Sequence, residues 1–417
     1  MAIWRVTGGN RLEGSCFVQG SKNAALPILA ASVMSGCVTE LLNVPKLSDI
    51  DASVRILRQL GCTAEQTDND IYIDSGQLNN NVIPREMMEC MRSSVLFMGA
   101  LLARCGEVTI SKPGGCKLGE RPIDLHLKAM EALGAEISEE CDRIVCTAKA
   151  LKGAEIKLPF PSVGATENAM IAACKAEGET RIINAAREPE IVDLQDYLLK
   201  MGAYIRGAGS NVITINGFEA ETHVGHRVIP DRIAASTILC AAAASGGDVE
   251  LRGVDINHFS KVLFFLNAAG CDIISTNRSV RLVSDGILTG LDRVVTEPFP
   301  GFPTDAQPLL MAALLRSRGR TVFDEQVFSG RFCHARQLKR FGADISIIGN
   351  EAEVWGVSSL NSAIVNATDL RGGAAMLIAG MCAEGTSEIM DTGHICRGYE
   401  NFDYKLRSLG AEVYMDI

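Results

Sequence analysis

A cysteine among basic residues is the most reactive feature the chain offers. The loop Ser111-Lys112-Pro113-Gly114-Gly115-Cys116-Lys117-Leu118-Gly119-Glu120-Arg121-Pro122 has glycine at three positions and a proline near each end. Lys and Arg beside a thiol lower its pKa and make it a better nucleophile or acid–base group. A glycine-rich setting suits a mobile lid over a cleft. With 14 cysteines in the chain, the plain alternative is a polar turn with an incidental thiol. A second candidate is the turn Phe299-Pro300-Gly301-Phe302-Pro303-Thr304-Asp305, which presents a carboxylate at a helix start. Asp305 is there either a helix cap or a general base for a substrate hydroxyl within hydrogen-bond reach.

A third signal is spread along the chain. Six apolar stretches start with Ser21-Lys22-Asn23, Arg92-Ser93-Ser94, Ser162 with Thr166, Asp231-Arg232, Thr304-Asp305 and Thr368-Asp369-Leu370-Arg371. Arg121, Arg331 and Arg397 stand near the starts of amphipathic stretches. Ser, Thr and Asp at such places serve as N-caps. Lys and Arg do not, because a cation opposes the positive end of the helix dipole. Cations gathered at helix N-termini make sense when an anion binds among them. The expected ligand is highly anionic, such as a phosphate-carboxylate together with a diphosphate.

Other motifs carry less. His223-x-x-His226 has no acidic or cysteine ligand at useful spacing, so a loop is the better reading and no metal site is expected. Cys141 and Cys146 flank a strand and need no chemistry. There is no Walker A sequence, no G-x-S-x-G and no well-placed G-x-G-x-x-G.

The elements that must position these residues form a repeat. Gly followed by Ala or Cys, one further residue and usually a β-branched one recurs at Gly61, Gly134, Gly202, Gly270, Gly342 and Gly410, at intervals of 73, 68, 68, 72 and 68 residues. Self-similarity at a near-constant period is the signature of stacked structural units. Each copy closes an amphipathic stretch such as DLHLKAMEALGA, where Gly fits a helix C-cap. Earlier in each unit lies a stretch apolar nearly all round, such as RIAASTILCAAAASGG, which reads as an interior helix. The unit is therefore strand, buried helix, strand, outer helix, strand. Six units predict two three-unit domains with a cleft between them; a plain α/β solenoid is the competing arrangement.

Composition bounds the function. With 417 residues and 47% hydrophobic content, the chain needs more than one core. A net charge of −10 argues against a nucleic-acid binder, whose footprint is basic. The longest apolar runs, such as Ile233 to Ala244, are too short to span a bilayer, so no membrane association is expected. Scattered cysteines without a C-x-x-C pair or a basic, apolar leader predict reduced thiols and a cytoplasmic location.

At its motifs the chain resembles the UDP-N-acetylglucosamine 1-carboxyvinyltransferase family. The similarity includes GSKNAALPILAA (20–31), MRSSVLFMGALLAR (91–104), PGGCKLGERPIDLH (113–126), PSVGAT (161–166), AAREPEIVD (185–193), PDRI (230–233), PGFPTDAQ (300–307), ATDLRGG (367–373) and RGYEN (397–401). These run in order over essentially the whole chain. The resemblance implies a two-domain inside-out α/β barrel, with buried helices surrounded by sheets. It implies a discontinuous domain of residues 1–20 plus 229–417, a second domain of residues 21–228, and an active site in the cleft between them.

It also implies roles. Lys22 and Asn23 would contact both substrates; Arg92, Arg121 and Arg397 would hold the phosphate and carboxylate of phosphoenolpyruvate. Cys116 would be the general acid at C3 of phosphoenolpyruvate, able to form a covalent adduct and to be alkylated by fosfomycin. Asp305 would accept the proton of the sugar 3-hydroxyl. Pro122, Ile123, Asp124, Leu125, Ser162, Val163 and Gly164 would line the nucleotide-sugar site, with Val327, Arg331, Asp369 and Arg371 in support. The implied reaction moves the enolpyruvyl group of phosphoenolpyruvate, a co-substrate, to UDP-N-acetylglucosamine. This is the first committed step of peptidoglycan synthesis, and it needs no metal or cofactor.

The chain departs from the family pattern at Lys117-Leu118 and Gly119-Glu120 beside the cysteine, at Ala234-Ala235-Ser236 after PDRI, and at Cys396 before Arg397. None of these removes a catalytic position. Two other readings stand beside this one: a related transferase acting on shikimate 3-phosphate, which the Cys116 loop and PSVGAT oppose, and a non-catalytic nucleotide-sugar sensor, which the set Lys22, Cys116, Asp305 and Arg397 opposes.

Overall fold

The six glycines of the repeat all lie in the left-handed region, with φ from +90° at Gly342 to +106° at Gly270. A side chain there would strain the backbone, so each glycine can end a helix and turn the chain into the next strand. The helices they close are Ser48–Gln59, Asp124–Ala132, Pro189–Lys200, Ser260–Ala268, the short Ala335–Leu338 with its 3-10 extension, and Phe402–Ser408. The computed structural model describes residues 2–111, 123–140, 142–218 and 223–416.

The six apolar stretches are helices Lys22–Ala31, Leu96–Cys105, Val163–Ala173, Arg232–Ser245, Gln307–Ala313 and Leu370–Met381. In Arg232–Ser245, every residue from Ile233 to Ala244 is buried. An all-round apolar surface can be satisfied only inside a core. Four of these inner helices are capped as their sequence requires: Ser21 accepts from Ala24 N, Ser162 from Ala165 N, Asp231 from Ile233 and Ala234 N, and Asp369 from Arg371 and Gly372 N.

The chain forms two compact units. Among the described residues, 2–19 and 230–416 make up one, and 20–111 with 123–229 the other. Each has its own apolar core. In each, three inner helices pack against one another. Each also holds three four-stranded sheets with one parallel and two antiparallel pairings. In the second unit one sheet runs Val82–Ile83, Glu107–Ser111, Arg143–Thr147, Glu136–Glu140. The repeat therefore has a strand more than the three-strand unit read from the sequence. The extra strand is a five-residue hairpin return such as Arg143–Thr147 or Val212–Asn216, too short for its alternation to stand out. In the last sheet the return strand is the chain's first, Ala2–Thr7, which pairs antiparallel with both Thr386–Asp391 and Glu412–Asp416.

No helix among the described residues is long and apolar enough to cross a membrane.

Candidate active site

The carboxylate of Asp305 sits between two buried guanidinium groups. Its Oδ1 lies 3.2 Å from Arg331 Nη2, and its Oδ2 lies 3.2 Å from Arg371 Nε. Arg331 is 2% exposed and Arg371 4%. Arg331 also donates to the Thr304 carbonyl at 3.2 Å and lies 3.6 Å from Asp369 Oδ1. That same Asp369 oxygen caps the inner helix that begins with Leu370 and Arg371. Asp305 is not a helix cap: the helix Gln307–Ala313 starts from Ala306 and has no side-chain cap. Its carboxylate is instead oriented by the two arginine side chains, with an edge left partly exposed. That is what a group accepting a substrate proton needs.

Arg371 is held charged. Burial works against the charge, but Tyr399, Asp305 and Asp231 outweigh it and push its pKa up. The guanidinium lies over the Tyr399 ring, 5.4 Å from its centroid. Tyr399 is anchored in turn by Thr237, 2.9 Å from its hydroxyl, and by stacking on Phe402. Nη1 of Arg371 is buried without a hydrogen-bond partner among the described residues, a donor suited to an incoming anion.

Glu325, 1% exposed, organises the neighbouring loop. It accepts from Thr304 Oγ1 at 3.0 and 3.1 Å and from the backbone N–H of Val327 and Phe328. Val327 thereby stays beside the Thr304-Asp305 turn. Arg397 closes a 3-10 turn, Ile395–Arg397, before the helix Phe402–Ser408. His334, behind Arg331, donates from Nδ1 to the Arg331 carbonyl; burial pushes its pKa down, with Arg331 adding to that and Asp369 opposing it.

The other unit carries the second group. Lys22 opens the first inner helix and its Nζ lies 2.9 Å from Asp49 Oδ2. Asn23, next to it, is exposed. Arg92 lies in a 3-10 turn, Arg92–Val95, that leads into the helix Leu96–Cys105. Ile123, Asp124 and Leu125 form the N-terminus of an outer helix. Ser162 caps the inner helix on which Val163 and Gly164 form the first turn. His126, buried at the start of its helix, packs its ring edge against Gly164. The His223/His226 pair does not converge: His223 is exposed, while His226 is buried against Asp193 at 3.0 Å and Lys200 at 3.2 Å. Cys116, Arg121 and Pro122 lie outside the described residues.

Sequence reasoning passed over Asp49, Glu325, Tyr399 and His126. Each has a signal after the fact, such as the acid just inside a helix N-terminus at Asp49, but each works through a partner distant in sequence.

Residues 6–406 match the family described as EPSP synthase (3-phosphoshikimate 1-carboxyvinyltransferase). In fold, the chain is similar to the enolpyruvyl transferase NikO from Streptomyces tendae, with a TM-score of 0.91 at 22% identity over 99% of this chain and 98% of that one. It is also similar to EPSP synthase from Acinetobacter baumannii, with a TM-score of 0.76 at 20% identity, each chain fully covered. These define an enolpyruvyl transferase. Among curated relatives, a UDP-N-acetylglucosamine 1-carboxyvinyltransferase from Trichlorobacter lovleyi is 45% identical over 98% of this chain and 97% of its own length. A UDP-N-acetylglucosamine 1-carboxyvinyltransferase 2 from Carboxydothermus hydrogenoformans is 47% identical over 98% of each. The chain belongs to the UDP-N-acetylglucosamine 1-carboxyvinyltransferase family and is a transferase.

Proposed function

We propose that the protein transfers the enolpyruvyl group of phosphoenolpyruvate to the 3-hydroxyl of UDP-N-acetylglucosamine, releasing phosphate, in the cytoplasm and as the first committed step of peptidoglycan synthesis. The observation that carries the chemical part is Asp305, an exposed-edge carboxylate clamped at 3.2 Å by each of two buried arginines. Such a group is pre-oriented to take a proton without reorganising.

The steps follow from the groups available. Cys116 gives a proton to C3 of phosphoenolpyruvate, and C2 becomes electrophilic. The sugar 3-oxygen bonds to C2 as Asp305 takes the hydroxyl proton. The tetrahedral product then loses phosphate from C2, which takes away the proton held by Asp305, and gives a C3 proton back to the Cys116 thiolate, and the double bond returns. Lys22, Arg92, Arg121 and Arg397 hold the phosphate and carboxylate. Asn23 and the segments Pro122–Leu125 and Ser162–Gly164 hold the nucleotide sugar, and Val327, Arg331, Asp369 and Arg371 support the site. Phosphoenolpyruvate is a co-substrate and no cofactor takes part. The finer architecture in this reading is an inside-out α/β barrel of three repeats per domain, with domain crossings near residues 21 and 229. Three inner helices and three sheets in each unit support it.

The test is phosphate release from phosphoenolpyruvate with and without UDP-N-acetylglucosamine, by the unmodified protein and by Cys116→Ala and Asp305→Asn. Release that depends on the sugar nucleotide and falls at least about a hundredfold in Asp305→Asn is expected. Release with shikimate 3-phosphate instead, or none at all, would refute the reading.

A further inference from the structure

Asn168, fully buried in the inner helix Val163–Ala173, makes three hydrogen bonds that together settle the chemistry of another residue. Its Oδ1 accepts from Gly99 N at 2.8 Å, and its Nδ2 donates to the Val95 carbonyl at 3.0 Å. Val95 and Gly99 are four residues apart, the spacing that a continuous α-helix joins directly. The amide thus spans one helical step where the turn Arg92–Val95 meets the helix Leu96–Cys105. A Cβ at Gly99 would come 2.2 Å from Asn168 Oδ1, so glycine is what admits the amide.

These two bonds decide which end of the amide is oxygen, because a backbone N–H only donates and a carbonyl only accepts. The second hydrogen on Nδ2 then faces His126 Nδ1, 3.1 Å away. A donor at that distance leaves Nδ1 the acceptor's part, and the imidazole proton must sit on Nε2. His126 is 7% exposed. Burial, reinforced by Arg92 and opposed by Asp124, pushes its pKa down to about 4, so the ring is neutral at pH 7. Its free edge looks toward the first turn of the Val163–Ala173 helix: a Cβ built on Gly164 would lie 3.1 Å from Cε1 and 3.3 Å from Nε2.

We propose that Asn168 is a positioning residue that locks His126 as the Nε2–H tautomer and makes it a fixed hydrogen-bond donor to the anionic part of the nucleotide sugar at Ser162–Gly164. The donor role rests on the function proposed above; the lock does not. One amide thereby ties together the three segments that carry Arg92, Ile123–Leu125 and Ser162–Gly164. A neutral donor with no choice of tautomer needs no proton rearrangement when substrate arrives.

The experiment is a long-range proton–nitrogen spectrum of the full chain with 15N-labelled histidine, recorded without substrate from pH 8 to 5. Of six histidines, His126 is assigned by its loss in His126→Gln. The expected pattern is a proton on Nε2 only, unchanged over that range. In the isosteric Asn168→Asp an oxygen faces Nδ1 while another still serves Gly99. Nδ1 should then gain a proton, giving the Nδ1–H tautomer or a ring that titrates at higher pH. The KM for UDP-N-acetylglucosamine should rise about tenfold, as for one lost bond to a charged group, and that for phosphoenolpyruvate should stay within twofold. A wild-type ring that carries its proton on Nδ1, or that titrates near pH 6.5, overturns the lock without needing any variant. So does a spectrum of the Asn168→Asp variant identical to that of the wild type. A changed tautomer with an unchanged KM overturns the donor role. A protein that releases no phosphate overturns the assigned reaction and leaves the ring spectrum as the judge of the lock.

Discussion

Lys22 Nζ lies 2.9 Å from Asp49 Oδ2, with side chains only 11% and 6% exposed. The acid stands in the first turn of the outer helix Ser48–Gln59, where the helix dipole favours its charge. The lysine stands at the first position of an inner helix, where the dipole opposes its charge. Asp49 therefore offsets an unfavourable placement of the Lys22 charge.

Asp49→Asn keeps the shape and removes that charge. Breaking one side of a buried pair costs about 3 kcal/mol or more, so urea denaturation should show a loss of that order. KM for phosphoenolpyruvate should rise several-fold as Lys22 loses its orientation. Unchanged stability and unchanged KM together would show that the pair is incidental.

Fosfomycin, an epoxide, should label Cys116 first among 14 cysteines, as peptide mass spectrometry will read. Burial pushes the thiol pKa up to about 11 at Cys62, Cys146 and Cys271 and to about 12 at Cys174 and Cys382. Those thiols stay protonated near neutral pH. Among the described residues the exposed thiols are Cys90, Cys105 and Cys333, and burial raises the pKa at Cys105 as well. Labelling of Cys90 or Cys333 at the rate of Cys116 would contradict an activated thiol in that loop.

The unit length was legible because a left-handed glycine after a helix is a local demand, met at Gly61 and at its five later copies. Inner helices were legible for the same reason: nothing but burial explains an Ala-rich run such as Ile233 to Ala244. Lys22, Arg371 and Asp305 stood out because their charge conflicts with, or exceeds, what a helix start needs. Asp49, Glu325 and Asn168 did not stand out. Their partners are 27, 21 and 69 residues away at Lys22, Thr304 and Gly99, and an acid or amide by itself says nothing about a partner. Asp305 was ambiguous for a related reason: a cap and a clamped base look alike until Arg331 and Arg371 arrive from elsewhere in the chain.

Acid should weaken the fold through its buried histidines. The folded-state pKa of His126 is about 4, below its ordinary 6.5, and that of His334 is pushed down as well. Between those values the unfolded chain binds protons that the folded chain refuses, so stability falls as pH drops below about 6.5. For His126 the loss from pH 7 to pH 5 amounts to about 2 kcal/mol by that linkage. Chemical denaturation at the two pH values should show it, and His126→Gln should remove that share. A pH slope identical in the variant would rule out His126 as a source.

Alkali should weaken the fold through Glu167. This residue is 4% exposed in the inner helix one residue before Asn168. Burial first, and then the charges of Glu190 and Glu188, push its pKa well above the ordinary carboxylate value. Above pH 4.5 the folded chain holds a proton that the unfolded chain releases, so this group lowers stability as pH rises toward its folded pKa. Gln mimics the protonated acid in shape and carries no charge. Glu167→Gln should therefore have a higher denaturation midpoint than the wild type at pH 8. The gap should narrow toward pH 5, where the unfolded carboxyl begins to take up its own proton. A variant less stable than wild type at pH 8 would mean that the Glu167 carboxylate is needed in its charged form, and the protonated reading of this site would be wrong.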